Sequence, residues 1–130
     1  MFVQKTVIYQ EGSGFDITGE IVRAVKESGI KEGLCCDTAL SEHTGIVCVP
    51  EKRQEILADI WEDLERILPP RTNYKDSSDP ARCAGRSKAA LTESSKDFII
   101  HEGEVRTWGN VYLLHFSQEE EGRYAITCCG

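Results

Sequence analysis

The region between Pro50 and Pro70 constrains the fold most strongly, because its apolar residues recur at helical spacing. Pro50 suits the first turn of a helix, and Pro69-Pro70 ends it. A helix with one apolar stripe must bury that stripe against another layer of the protein. The sequence therefore predicts a long amphipathic helix that packs on strands. Its apolar residues are Ile56, Leu57, Ile60, Trp61, Leu64, Ile67 and Leu68.

Two short apolar runs before this helix are predicted to be strands. They cover residues 34–39 and 45–49 and are rich in cysteine, valine and isoleucine, which suit strands. A polar connection, residues 41–44 with the sequence SEHT, lies between them. We expect the long helix and the C-terminal strands to pack around this pair of strands. We also expect a functional site at the polar connection.

A first helix is predicted over residues 17–28, before the two apolar runs. Asp16 suits its N-cap, and Gly29 stands where a C-terminal cap belongs. After the long helix, residues 71–86 contain almost no apolar side chains and are predicted to form a long polar loop. A short helical turn at residues 87–91 follows. The sequence thus predicts two helices of substantial length.

Short strands account for most of the remaining chain. The order of strand, helix, strand pair, helix and strand run predicts a single α+β domain over residues 1–130 rather than a βαβ repeat. Strands are predicted over residues 2–9, 98–101, 104–116 and 123–129, with turns at 11–14 and 102–103, a kink at 109–110 and an acidic loop at 117–122.

The charge of the chain excludes one class of function. The formal net charge is −7, whereas a protein that coats nucleic acid needs a basic surface. The same charge disfavours binding to anionic membranes, but it leaves room for one local basic pocket. No apolar run approaches the roughly 20 residues of a membrane span, and the N-terminus lacks the features of a signal peptide. We therefore expect a cytoplasmic protein that binds neither nucleic acid nor membranes.

The six cysteines are predicted to be small apolar strand residues rather than ligands of zinc. They contain no C-x-x-C pair, which zinc sites usually have. Two of the cysteine pairs are directly adjacent in sequence, so in a strand their side chains point to opposite faces. In a reducing cytosol such residues remain thiols. The cysteines are at positions 35, 36, 48, 83, 128 and 129.

His43 is the histidine with the most chemically useful neighbours. An imidazole acts as an acid, a base or a metal ligand near neutral pH. Glu42 becomes its partner only if the backbone turns, since extended neighbours point opposite ways. The alternative is a hydrogen-bonded structural histidine at a strand end. His101 and His115 lie in strand-like stretches and are predicted to be structural or surface residues. Arg82 and Arg86 add two cations to the polar loop, and their usual role is solvated surface charge.

Several short motifs, taken in order, resemble the small YjbQ-like family, whose members are also called secondary thiamine-phosphate synthases. The resemblance runs over nearly the whole chain, and it depends on the order and spacing of the motifs. The family typically has His-Thr-Ser where this chain has His43-Thr44-Gly45. The other matching residues are Gln4-Lys5-Thr6, Glu51, Asp59, Leu64, Pro69, Asn73-Tyr74, Gly103, Thr107-Trp108 and Gly122-Arg123.

The resemblance implies a fold, an assembly and an activity. The fold is α+β with an antiparallel, sandwich-like sheet and two helices, and the assembly is a homotrimer. The family site combines three histidines and resembles a metal or phosphate site. The family name implies a weak transferase activity, thiamine-phosphate synthesis. That reaction joins a hydroxymethylpyrimidine diphosphate to a thiazole phosphate and releases pyrophosphate.

This chain keeps one of the three family histidines, His43. The second falls at or near Asp76 and the third at or near Arg86. One histidine and one aspartate can still hold a divalent metal ion together with waters. Arg86 would repel that ion but attract a phosphate or a carboxylate. The resemblance therefore implies catalytic roles for His43, Asp76 and Arg86, and metal ligation by His43 and Asp76.

A second group of candidate residues comes from the segment after the turn at residues 102–103. The family motif Gly-Thr-Trp-Gln is reduced here to Arg106-Thr107-Trp108-Gly109. A guanidinium beside a large aromatic face suits an anion or a planar ring. The alternative is a strand with Trp108 in the core or at a subunit interface. We expect Thr44, Arg106, Thr107 and Trp108 to bind substrate.

Two functions follow from these residues. The first is an enzyme that transfers or hydrolyses a group on a small phosphorylated molecule, with thiamine-phosphate synthase-like activity by resemblance. The second is a non-catalytic anion- or metal-binding protein that keeps the fold but has lost the histidine cluster. The replaced histidines favour the second, and the retained His43, Thr107 and Trp108 favour the first.

Overall fold

Two antiparallel sheets and three helices make up the computed structural model of the chain. The structure describes residues 2–8, 13–76, 79–118 and 120–130, and for residues 2–8 and 13 it describes the backbone alone. Within this part of the chain, no helix is long and apolar enough to span a membrane. The elements are β1 (Phe2–Ile8), β2 (Ser13–Asp16), α1 (Thr18–Ser28), β3 (Gly33–Ala39), β4 (Thr44–Val49), α2 (Gln54–Ile67), α3 (Pro80–Thr92), β5 (Ser95–His101), β6 (Glu104–Arg106), β7 (Asn110–His115) and β8 (Glu121–Cys129).

The strands form a five-stranded sheet of order β1-β8-β3-β5-β6 and a three-stranded sheet of order β2-β7-β4. All neighbouring strands in both sheets are antiparallel. The predicted α+β fold with a sandwich-like antiparallel architecture is confirmed. The predicted strand pair, however, is divided between the sheets: β3 pairs with β8 and β5, whereas β4 pairs with β7.

The main core lies between the two sheets. Strands of both sheets contribute to it, and α1 covers one end of the core with its buried apolar stripe. Cys35 and Cys128 belong to this core, as predicted for small apolar strand residues, whereas Cys83 lies in the helix α3 and not in a strand. The largest side chains of this core that are fully buried are Ile21, Ile46, Ile100, Leu113 and Ile126.

A second core lies between the outer face of the three-stranded sheet and the helices α2 and α3. β7 is buried on both faces, because Leu113 packs into the main core and Leu114 into the second. The rings of Trp61 on α2 and Phe116 stack with centroids 5.0 Å apart. The predicted long helix is present, but it begins at Gln54 rather than in the turn that follows Pro50.

Helix α3 is the main element that the sequence pattern did not predict. The expected loop over residues 71–86 ends at Asp79, whose side chain caps the helix by accepting from the backbone N–H of Ala81. Pro80 then occupies the first turn, where its fixed φ is suited. The expected helical turn at 87–91 is the second half of this helix. Apart from Lys88, small residues fill its buried face, so it lacks the pattern of large apolar residues that revealed α2.

The predicted strand over residues 104–116 is two strands in different sheets. β6 ends at Arg106, and β7 starts at Asn110 beside β4. Gly109 allows the change of direction, because its φ is +61° and an added Cβ would lie 2.1 Å from the carbonyl oxygen of Val49. No other residue type fits there without a backbone shift.

Other boundaries differ by a few residues. The predicted turn at 11–14 is in part strand β2, while Glu11 and Gly12 lie outside the described residues, as does Tyr9 of the predicted first strand. Ile17 rather than Asp16 is the N-cap of α1, although Asp16 accepts a hydrogen bond from the N–H of Thr18. The predicted C-cap is confirmed, since Gly29 has φ +71°. The strands predicted at 98–101 and 123–129 begin at 95 and 121.

Candidate functional site

His43 lies in the turn before β4 and is completely buried. Its Nδ1 is 3.1 Å from Glu120 Oε2 and 3.8 Å from Glu42 Oε1. Because a carboxylate accepts, Nδ1 donates in this pair and Nε2 carries the lone pair. Nε2 is buried and has no hydrogen-bond partner among the described residues. The imidazole is thus held by a carboxylate on one side, while its other nitrogen is buried without a described partner.

The strand register explains how Glu120 reaches His43. Thr44 lies opposite His115 in the β4–β7 ladder, and the backbone N–H of Phe116 donates to the carbonyl of His43 at 2.8 Å. Phe116, directly after β7, and Glu120, directly before β8, therefore lie beside His43. Glu120 comes from the segment that the sequence showed only as an acidic loop, and nothing in its local pattern marked it as a site residue.

Arg82, on the first turn of α3, joins the two glutamates. Its guanidinium lies 2.6 Å from Glu120 Oε1 and 3.3 Å from Glu42 Oε1. Glu42 is the sequence neighbour of His43, and the turn in the backbone at residues 41–43 brings its carboxylate to the imidazole. We refer to Glu42, His43, Arg82 and Glu120 as the His43 cluster.

Behind this cluster lies a second buried imidazole, that of His115. Its Nε2 lies 2.6 Å from the carbonyl oxygen of Glu120, which can only accept, so Nε2 carries the proton. The hydroxyl of Thr44 consequently donates to Nδ1 at 3.0 Å. Burial lowers the pKa of His115 below its ordinary value. This histidine positions the start of β4 and the Glu120 loop, in agreement with its predicted structural role.

Asp76 and Arg86, the two other predicted catalytic residues, form an ion pair with each other. Arg86 also donates to the sulfur of Cys83, whose thiol donates to the backbone oxygen of Asp76. Asp76 raises the pKa of Arg86 above its ordinary value. Arg86 lies on α3 next to Gly85, which packs on the ring of His43, and Asp76 precedes the helix.

A surface cleft of about 590 Å³ runs along α3 next to the cluster. A cleft of this volume can hold a small metabolite. Its polar lining holds four hydroxyl groups, the carboxylates of Glu42 and Glu93, and one cation, Arg86. The residues that line it are Ser41, Glu42, Thr44, Arg86, Ala89, Ala90, Glu93, Ser94 and Ser95.

The predicted substrate-binding segment lines a neighbouring groove rather than this cleft, and Glu93 lines both. Gly109 contacts Val49 at the far end of β4, about 16 Å from Thr44 by strand geometry. Trp108 is 60% exposed, which excludes a core position within one chain. Arg106 and Trp108 line a second groove of about 570 Å³, together with Cys48 and Lys96. Thr44 is therefore separated from Arg106, Thr107 and Trp108 within one chain.

The donor set does not fit a bound divalent metal ion. Glu42, His43 and Glu120 place ligand atoms within 4.8 Å of one another, as a metal site requires. Arg82, however, lies against both glutamates, and Arg86 lies against Asp76. A metal ion on either set of carboxylates would have to displace a guanidinium. The ligand atoms that converge with His43 are those of Glu42 and Glu120, whereas the predicted second ligand, Asp76, is paired with Arg86.

Comparison with known protein families identifies the family of this chain. The family model of the UPF0047 protein YjbQ-like family matches residues 5–130. The chain belongs to the YjbQ-like family. A search of curated proteins found no match.

YjbQ-like proteins of known structure share this fold over nearly their whole length. A YbjQ-like protein of unknown function from Sulfolobus solfataricus P2 is 22% identical, with a TM-score of 0.89, and the match covers 100% of this chain and 96% of that one. An uncharacterised protein of the yjbq/upf0047 family from Clostridium acetobutylicum is also 22% identical, with a TM-score of 0.87 and coverage of 98% and 99%. At these identities the likeness establishes the fold alone.

Proposed function

We propose that this YjbQ-like protein acts on a small phosphorylated molecule in the cleft beside α3, with His43 exchanging the proton. The observation that supports this proposal is the imidazole of His43, which is held at Nδ1 by Glu120 and has no described partner at Nε2. A buried polar atom without a partner costs free energy, so it is retained where a ligand or a reaction uses it. Access to Nε2 requires the first half of α3 to move, because Gly85 packs against the ring.

Arg86 is the proposed anion-binding residue of this reaction. It lines the cleft, and a guanidinium recognises phosphate oxygens in a bidentate manner. Asp76 holds the guanidinium in place, and the hydroxyl of Ser41 completes the polar wall. In its finer form the proposal is a thiamine-phosphate synthase-type transfer, in which a pyrophosphate leaving group departs toward Arg86. The family resemblance supports this finer form.

The assembly and the location belong to the same proposal. We propose a homotrimer, since the outer face of the five-stranded sheet has no helix against it among the described residues and exposes Leu34 and Ile99. In such an assembly the groove at Arg106 and Trp108 can meet the cleft of a neighbouring subunit and thus bind substrate with Thr107. We place the protein in the cytoplasm, where thiols such as Cys35 persist.

Turnover of a panel of phosphorylated metabolites tests the catalytic role of His43. We expect His43→Gln to lower the rate of phosphate or pyrophosphate release by about 100- to 10,000-fold, the usual contribution of a proton-transfer group. The matched control is His101→Gln, because His101 is exposed and paired with Glu32 away from the cleft. Equal rates in His43→Gln and the wild type would refute the mechanism.

A non-catalytic binding protein is the second candidate. The observation in its favour is that Arg86 in the cleft and Arg82 in the His43 cluster already have carboxylate partners. The charge that would stabilise a transition state is therefore partly neutralised. In that case the wild type would bind phosphorylated ligands, seen as a rise in melting temperature, but would turn none of them over. The same panel therefore separates the two candidates.

A further inference from the structure

The His43 cluster contains the geometry of a metal site with an arginine inside it. Two carboxylates and an imidazole converge within 4.8 Å, which is the arrangement that holds a divalent cation with N and O ligands. Each carboxylate uses an oxygen on Arg82: Oε1 of Glu120 at 2.6 Å and Oε1 of Glu42 at 3.3 Å. The guanidinium thus places its positive charge where a metal ion held by these ligands would lie.

Charge and geometry explain why an arginine is stable among these carboxylates and the imidazole. Without Arg82, two carboxylates would lie next to each other and next to a buried imidazole, and their mutual repulsion would have to be relieved by another cation or by protonation. The planar guanidinium presents several N–H donors at once and stays charged at any physiological pH. It also leaves Oε2 of Glu120 available for Nδ1 of His43.

We propose that Arg82 takes the place of a metal ion in this protein, and that it positions Glu120 and Glu42 on Nδ1 of His43. Arg82 is therefore a positioning residue rather than a catalytic one. The wild-type cluster excludes divalent cations, and removal of the guanidinium creates a metal site from Glu42, His43 and Glu120. This inference concerns the site of the proposed function, but its test needs no turnover, so either can fail without the other.

Zinc binding to the full chain tests the proposal. Titration with Zn²⁺ alone, followed by calorimetry and by metal analysis after dialysis, is expected to show no stoichiometric binding at this site in the wild type. Arg82→Met keeps the apolar stem and removes the charge. We expect it to bind one Zn²⁺ per chain, more tightly than the wild type by on the order of 10- to 100-fold. Arg82→Met/Glu120→Gln should lose this gain, because a ligand is removed.

Two further variants make the result specific. Arg53→Met removes an arginine that pairs with exposed Glu55, so it controls for the loss of any surface ion pair and should gain no zinc site. Arg82→Lys keeps a positive charge in the cluster and should still exclude zinc, which tests the proposal even if Arg82→Met folds poorly. Stoichiometric zinc on His43 in the wild type, or no gain in a folded Arg82→Met, would overturn the inference.

Discussion

Replacing Asp37 with valine is expected to stabilise this protein at pH 8 by about 4 kcal/mol. Asp37 lies in β3 with no exposed surface, and neither of its carboxylate oxygens has a hydrogen-bond partner among the described residues. Burial in this core raises the pKa of Asp37 to about 7, from an ordinary value of 3.8. A shift of about three pKa units means that the ionised carboxylate destabilises the folded state by about 4 kcal/mol.

The direction of the pH dependence follows from these two pKa values. Because the folded state binds the proton more tightly than the unfolded state, the contribution of Asp37 is most favourable below pH 3.8. It is lost progressively as the pH rises through about 7. Lys96 lies opposite Asp37 in the β3–β5 register, but its ammonium is directed to Glu93 at 3.6 Å. No described hydrogen bond therefore satisfies the carboxylate.

Denaturant unfolding at several pH values between 4.5 and 8 measures this effect. The free energy of unfolding of the wild type should fall relative to that of Asp37→Val as the pH rises, so the difference between them grows toward pH 8. The matched control is Asp97→Asn, an exposed aspartate on neighbouring β5, which should run parallel to the wild type. A constant difference between wild type and Asp37→Val across the pH range would contradict the argument.

The sequence predicted those parts of the fold in which large apolar residues recur at a regular spacing. α2 is the clearest case, since Leu57 and Leu64 lie on its buried face and have helical spacing. The sequence did not predict α3, because Cys83, Ala84 and Ala89 are small. Small residues let a helix pack closely without creating a strong apolar pattern. The pairing of the strands could not be predicted for another reason. Partners such as β3 and β8 are far apart in sequence, and no local pattern determines their register.

The residues of the candidate site also differ in whether the sequence could predict them. His43 and Glu42 are neighbours in the sequence, and their chemistry could be recognised there. Glu120 lies 77 residues from His43, and only the β4–β7 register brings its loop to the imidazole. The family resemblance pointed to Asp76 and Arg86 as site residues, and the structure joins them in an ion pair. Arg82 was expected to be solvated surface charge, because its role depends on two carboxylates from distant segments.

The second large effect is expected from Gly85→Ala, which should lower the free energy of unfolding by about 1–3 kcal/mol, the usual cost of overpacking. A Cβ at Gly85 would lie 2.6 Å from the backbone oxygen of Phe116 and 3.2 Å from Cδ2 of His43. Neither neighbour can yield easily. The backbone N–H of Phe116 is bonded to the carbonyl of His43, and the imidazole is held by Glu120.

Gly19→Ala is the matched control, because an added Cβ there meets nothing within 4 Å and Gly19 lies in the first turn of α1. Alanine is the better helix former, so this variant should be as stable as the wild type or gain up to about 1 kcal/mol. Denaturant unfolding of both variants gives the comparison. If Gly85→Ala proved as stable as Gly19→Ala, α3 would be able to retreat from the imidazole at little cost. A ligand in the cleft could then reach Nε2 of His43 without a large decrease in the free energy of unfolding.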